Sequence, residues 1–80
     1  MDYEKDKVDE FTLALLYLVT WERQAGLGAR GWKTFDWETM NRLHEKGLIS
    51  DPKSKAKSVV ISEEGYQKAE ELFSKYFSKE

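Results

Sequence analysis

The spacing of hydrophobic residues near the start of the chain predicts an amphipathic helix over residues 7–23. At 100° per residue, one broad face carries the positions that we expect to point into the core: Val8, Phe11, Thr12, Leu15, Leu18 and Val19. The opposite side is also apolar, because Leu13, Tyr17 and Trp21 recur at every fourth position. A helix that is apolar on two sides is buried on both. We therefore expect the second row to be covered either by the loop that follows or by another copy of the chain.

Glycine, proline and capping residues divide the remainder of the chain into short elements. Three glycines in the segment after the first helix predict a loop. Asp36 and Ser62 are preferred N-cap residues, each followed by helical periodicity, and Gly47 is placed to end the second helix. A β-branched run after a proline turn predicts a hairpin. The predicted elements are helix 7–23, loop 24–35, helix 37–46, a two-stranded β-hairpin over 48–61, and helix 63–78.

The stretches LHEKGLIS and KSVVISEEGYQKAEELF resemble the pattern that closes the wing in MarR- and PadR-like regulators. The resemblance implies that residues 37–46 match a recognition helix and that residues 48–61 match the wing. A complete winged helix has a further helix where this chain has the glycine-rich segment. We therefore predict one domain over residues 1–80, of α+β, mainly α class, with a reduced winged-helix-like architecture.

The whole chain is also similar to a family of small bacterial proteins known as a domain of unknown function. The matching pieces are DKVDEFTLALLYL, WKTFDW, NRLHEKGLISDP and KAKSVVISEEG. The family brings no assigned activity. The similarity therefore supports the architecture and leaves the function open.

The composition argues against catalysis and metal binding. The chain has no cysteine and one histidine, which is too few zinc ligands of these types for a site. His44 shares a helical face with Trp37, Met40 and Leu43, which favours a partly buried packing role. The glycine-rich sequence at 26–31 lacks the spacing of phosphate-binding motifs. We therefore expect no catalytic residues, no metal and no cofactor.

The charge distribution raises DNA binding as an alternative function. The net charge is −2, yet residues 30–58 hold seven Lys and Arg residues against four Asp and Glu residues. The candidate nucleic-acid contacts are Asn41, Arg42, Lys46, Lys53, Lys55 and Lys57. Glu38 and Glu45 lie on the same helix and would repel phosphates, which disfavours this alternative.

The second apolar row of the first helix favours self-association. Leu13, Tyr17 and Trp21 supply large side chains of the kind that anchor protein interfaces. We predict a non-enzymatic interaction domain that forms a homodimer through this helix, with another protein as an alternative partner. The longest apolar run, residues 13–19, is far shorter than the roughly 20 residues that span a bilayer. With no cysteine, the chain is expected in the cytoplasm.

Overall fold

The computed structural model describes residues 1–79, and it contains three helices and a three-stranded antiparallel sheet. The predicted α+β, mainly α class is confirmed. In chain order the elements are α1 (Lys5–Leu16), a 3-10 turn (Tyr17–Val19), β1 (Thr20–Gln24), β2 (Gly28–Trp32), α2 (Trp37–Glu45), β3 (Ser58–Ile61) and α3 (Glu63–Phe77).

Helices α2 and α3 begin at the predicted caps. The Asp36 carboxylate accepts a hydrogen bond from the Thr39 backbone N–H at 3.0 Å, and the Ser62 hydroxyl accepts one from the Gly65 N–H at 3.0 Å. Each bond satisfies a donor that the first turn of a helix leaves unpaired. Gly47 follows α2 with a φ of +77°, the left-handed conformation expected just after a helix.

The helix predicted over residues 7–23 is wrong beyond Leu16, and the loop predicted over residues 24–35 is wrong for most of its length. After the 3-10 turn the chain runs into β1, which pairs with β2 across a turn at residues 25–27. Two of the three glycines, Gly26 and Gly28, belong to this tight connection and have positive φ values, whereas Gly31 lies within β2. Gly28 has a φ of +97°, and a Cβ there would lie 1.9 Å from the Ile61 carbonyl oxygen, so only glycine lets the two strands approach.

Strand β3 pairs with β2 on one side and with a single residue on the other. Trp32 lies opposite Ser58 and Ala29 lies opposite Ile61 in the β2–β3 ladder. Across the other edge, Ile49 forms one antiparallel bridge with Ile61. The hairpin predicted over 48–61 is thus reduced to this short pairing around an irregular segment. Between α1 and α2, where a winged helix has a helix, this chain has the β1–β2 hairpin.

The core lies between the helices and the inner face of the sheet. Its fully buried members come from every helix and from two of the strands: Leu13, Ala14, Leu16, Ala29, Met40, Leu43, Val59, Ile61, Ala69 and Leu72, with Leu48 and Ile49 from the segment after α2. The predicted orientation of α1 is therefore wrong, because the row with Leu13 is inside while Phe11, Leu15 and Leu18 remain exposed. Thr12 alone of the predicted inner face is fully buried.

Candidate functional site

The three residues predicted to mediate self-association do not form a free surface. Leu13 is 1% exposed and belongs to the core. The Tyr17 ring packs against α3, with its centroid 5.4 Å from that of Phe73, and its hydroxyl donates to Glu70 at 3.1 Å. Trp21 lies on β1 beside Trp32. Leu13 is therefore covered by the core and Tyr17 by α3, while Trp21 lies apart from them on β1, so the three residues do not form one continuous docking surface.

The opposite face of α1 carries the exposed apolar side chains instead. Phe11 and Leu15 of α1 are 38% and 39% exposed, and Leu18 of the 3-10 turn that continues it is 63% exposed; we call these three residues the α1 stripe. Part of the α1 stripe lines a groove of about 310 Å³ together with Val8 and residues near the helix start. Phe77 of α3, 42% exposed, extends the apolar surface, because its ring centroid lies 6.2 Å from that of Phe11.

Arg42 of α2 and Lys46 directly after it, two of the residues predicted to contact nucleic acid, are paired within the protein. Arg42 Nε donates to both carboxylate oxygens of Asp9, at 2.8 and 3.1 Å. Lys46 Nζ donates to Asp9 at 2.8 Å and to Asp6 at 3.3 Å, and the hydrogen bond to Asp9 raises the pKa of Lys46. Asn41 is half-buried. The geometry therefore gives α2 few free groups with which to read a DNA groove.

The predicted lysines of the hairpin turn are exposed. Lys53, Lys55 and Lys57 lie in residues 51–57, which we call the lysine loop, and no ion pair involves them within residues 1–79. Lys33, just after β2, anchors this loop, since its Nζ donates to the Pro52 carbonyl at 2.8 Å and to the Ser54 carbonyl at 2.5 Å. The lysine loop is thereby held at the end of β2.

The outer face of the sheet is a surface that the sequence analysis missed. Side chains alternate between the faces of a strand, and Gly31 faces the core, so its neighbours Arg30 and Trp32 face outward. Trp21 and Val60 lie opposite Arg30 on the two adjacent strands. We call Trp21, Arg30, Trp32 and Val60 the open sheet face. The sequence does contain a signal for this face. Trp21 and Trp32 lie on either side of the glycine-rich segment, a pattern that predicts a β-hairpin as well as a loop.

The open sheet face has a defined geometry. The rings of Trp21 and Trp32 lie with their centroids 4.7 Å apart and their planes inclined by 40°. A guanidinium nitrogen of Arg30 donates to the Ser58 hydroxyl at 2.6 Å. Trp32 is 46% exposed and Val60 is 42% exposed. Two aromatic rings and one cation thus share a surface that no other element covers among the described residues.

The glycine turn of the hairpin is occupied by a carboxylate of the protein itself. One oxygen of Glu63 accepts hydrogen bonds from the N–H groups of Gly26 and Gly28, at 3.0 and 3.2 Å. Both oxygens accept from the Arg23 guanidinium, at 2.6 and 2.9 Å. The hydrogen bonds from Arg23 and then Gln67 lower the pKa of Glu63 to about 2. These two backbone amides therefore bind a carboxylate at the start of α3, which joins α3 to the hairpin, and they are not free to bind a phosphate.

His44 and two charged residues that line a cavity between the helices have partners within the protein. His44 is exposed rather than partly buried, and its Nδ1 lies 3.0 Å from the Ile49 carbonyl oxygen. A cavity of about 400 Å³ between α1, α2 and α3 is lined by Asp9 and Lys46, which are paired with each other. Within residues 1–79, no group of three His, Cys, Asp or Glu residues is arranged to hold a metal ion.

None of the helices within the described residues combines the length and the apolar character that crossing a bilayer requires.

The fold and its surfaces define a small α+β domain with two uncovered apolar patches, one on α1 and one on the sheet. Residues 4–79 match the model of the family described as Domain of unknown function (DUF6429), and the chain belongs to this family. It is 44% identical over 79 residues to an uncharacterized protein, y4hR, of Sinorhizobium fredii (strain NBRC 101917 / NGR234). The match covers 99% of this chain and 100% of that protein. No solved structure matches the chain.

Proposed function

We propose that this domain is a non-enzymatic interaction module that self-associates through α1, using the α1 stripe rather than the row with Leu13. The observation that carries the proposal is the exposure of Phe11 and Leu15 on α1 and of Leu18 in the 3-10 turn directly after it. The stretch between Glu10 and Glu22 contains no charged residue, so the charges that a partner must desolvate are confined to the helix start, where Glu4 and Lys7 line the groove. The absence of cysteine fits a cytoplasmic location.

The order of residues along α1 suits a second copy of the same chain. A two-fold symmetric dimer uses the same patch on both subunits, so the patch must complement itself. If two α1 helices lie antiparallel, Phe11 of each copy faces Leu15 of the other, and Val8 faces Leu18. In each of these pairs a larger side chain contacts a smaller one, so the apolar surfaces of the two copies complement each other.

The exposed area indicates a weak dimer. The exposed fractions of Phe11, Leu15, Leu18 and Phe77 together amount to about two complete side chains per subunit. Burying an apolar side chain contributes roughly 1.5–3 kcal/mol, so two subunits gain roughly 6–12 kcal/mol. Association costs roughly 4–15 kcal/mol. Only the most favourable combination, a net gain of about 8 kcal/mol, corresponds to a dissociation constant of about 1 μM, so the proposed dimer is expected to be weak.

The non-enzymatic character rests on the state of the buried carboxylate. Asp9 is enclosed and accepts hydrogen bonds from Arg42 and Lys46, so its charge is neutralised in place. A general base needs an oxygen that can reach a substrate proton. The ion pairs fix both Asp9 oxygens, which supports a structural role.

Sedimentation analysis over a wide concentration range tests self-association. The chain is expected to shift from monomer to dimer between about 5 and 500 μM, the window of a micromolar dissociation constant. Leu15→Glu and Leu18→Glu should each leave a folded monomer, because each buries an unpaired charge in the interface.

Leu27→Glu is the matched control, because Leu27 is a highly exposed leucine on the turn of the β1–β2 hairpin, away from α1. This variant should dimerise as the unmodified chain does. Circular dichroism verifies that all three variants fold. A monomer at about 500 μM, or a dimer that Leu15→Glu and Leu18→Glu leave intact, would overturn the proposal.

A further inference from the structure

The geometry of the open sheet face points to a binding site for single-stranded nucleic acid. We infer that bases stack on the tryptophan pair and that phosphates contact Arg30 and the lysine loop. This site is separate from the α1 stripe and does not depend on self-association.

The tryptophan pair supplies the stacking platform. Trp21 and Trp32 contact each other at 4.7 Å between centroids, which fixes both rings on the sheet, while Trp32 remains 46% exposed. Proteins that bind single strands without sequence preference stack bases on aromatic side chains, and every base has a face that stacks. A sheet surface with exposed aromatic rings is also a common platform for unpaired RNA bases.

Positive charge lies where the backbone of a stacked strand would run. Arg30 is on the same face, and its hydrogen bond to Ser58 orients the guanidinium along the sheet. The lysine loop is held beside the Trp32 end of the sheet by the contacts of Lys33 with the loop carbonyls. Arg30 and the three exposed lysines of the lysine loop carry four positive charges, against two nearby carboxylates: Asp51 in that loop and Glu22, which lines a groove together with Arg30. The open sheet face therefore complements a polyanion.

The arrangement fits an unpaired strand better than a duplex. A duplex keeps its base faces stacked internally, so the tryptophan pair has nothing to stack on within it. The residues that would enter a major groove are on α2, where Arg42 and Lys46 are paired with Asp9 while Glu38 and Glu45 are exposed. An apolar protein partner would use Val60 and the tryptophans but would gain nothing from the lysine loop.

Fluorescence anisotropy with a labelled oligothymidylate of about 12 nucleotides tests the inference. Binding by the full chain is expected at low salt, together with quenching of tryptophan emission by the stacked bases. With Arg30 and three lysines each contacting one phosphate, the slope of log K against log salt should be roughly −3. A duplex of matched length should bind at least about tenfold more weakly.

Two sets of variants separate stacking from charge. Trp32→Ala should weaken binding about tenfold or more, as expected when one stacked base loses its platform. Trp37→Ala is the control, because Trp37 is 53% exposed but lies on α2, away from the open sheet face, and it should bind unchanged. Replacing Lys53, Lys55 and Lys57 with Gln should reduce the salt slope to roughly −1 and leave the fold intact, since these side chains are exposed.

Several results would overturn the inference. They are no binding at about 50 mM salt, equal effects of Trp32→Ala and Trp37→Ala, or a preference for the duplex. If Trp32→Ala does not fold, the inference is still tested by the salt slope of the lysine variant and by the quenching of tryptophan emission in the unmodified chain. Binding without quenching and without a salt dependence would place the oligonucleotide elsewhere on the chain and would overturn the inference.

Discussion

The buried carboxylate of Asp9 offers the sharpest test of what holds α1 against α2. Its side chain is 2% exposed and is neutralised by Arg42, 21% exposed, and by Lys46, 43% exposed. Replacing both cations with Met keeps most of their apolar stems but strands a negative charge in the interior. We compare each single variant, the double variant, and the double variant that also carries Asp9→Asn. This comparison separates the effect of the buried charge from the effect of packing.

The expected change in the free energy of unfolding depends on which charge each variant leaves without a partner. Arg42→Met or Lys46→Met alone leaves Asp9 one partner, so each should lower the free energy of unfolding by about 1.5–3 kcal/mol, the contribution of a hydrogen bond to a charged group. The double variant strands the carboxylate and should lose about 3–5 kcal/mol. Asp9→Asn alone leaves two cations that reach water, so it should cost about 1–2 kcal/mol.

The decisive comparison is Asp9→Asn in the background of the double variant. There it removes the stranded charge, so it should raise the free energy of unfolding by about 2 kcal/mol, the opposite sign to its effect in the unmodified chain. Urea unfolding followed by circular dichroism measures both effects, provided that the slope with urea is unchanged. If the double variant does not fold, the triple variant should fold where the double does not. A destabilisation of similar size in both backgrounds would refute the role of the buried charge.

Three further outcomes follow from particular contacts. Folding lowers the pKa of Glu63 from 4.5 to about 2, so its contribution to stability is complete above pH 4.5 and is lost as the pH falls towards 2; Glu63→Gln should flatten the acid-unfolding profile in that window. The hydrogen bond to Glu70 raises the pKa of Tyr17 to about 12, so its contribution is complete below pH 10 and is lost as the pH rises towards 12; ultraviolet titration of Glu70→Ala should show this tyrosine ionising closer to pH 10. In an exposed helix Gly→Ala stabilises, but a Cβ at Gly65 would lie 2.2 Å from the Leu48 carbonyl oxygen, so Gly65→Ala should lower the free energy of unfolding by about 1–3 kcal/mol in urea denaturation.

The parts of the fold that could be predicted are those determined by local chemistry. Asp36 and Ser62 cap their helices through bonds to residues three positions later, so a short window of sequence contains the whole interaction. The same is true of Gly47, whose conformation depends on its own missing side chain. These signals placed α2 and α3 to within one residue at each end.

The parts that could not be predicted depend on residues far apart in sequence. Periodicity shows that α1 is apolar on two sides, but the choice of the inner side is made by the contacts of Leu13 and Tyr17 with α3. The ion pair between Asp9 and Arg42 spans 33 positions, and the carboxylate of Glu63 reaches a turn 37 positions away. Arg42 therefore looked free for DNA in the sequence and is bound in the structure.

The two uncovered surfaces lie on different layers, and this separation makes the two proposals independent. The α1 stripe is on a helix, the open sheet face is on the far side of the sheet, and the core lies between that sheet and the helices. A change on one surface should therefore leave the other unaltered, because sites without shared contacts usually act additively.

Leu15→Glu should abolish dimerisation, while the affinity of each subunit for oligothymidylate stays within about twofold. Trp32→Ala should weaken oligothymidylate binding and leave dimerisation unchanged. Measuring both properties on both variants checks this expectation. If Leu15→Glu weakened nucleic-acid binding as strongly as Trp32→Ala does, the strand would have to bind across two subunits, and the open sheet face of one chain would not be a complete site.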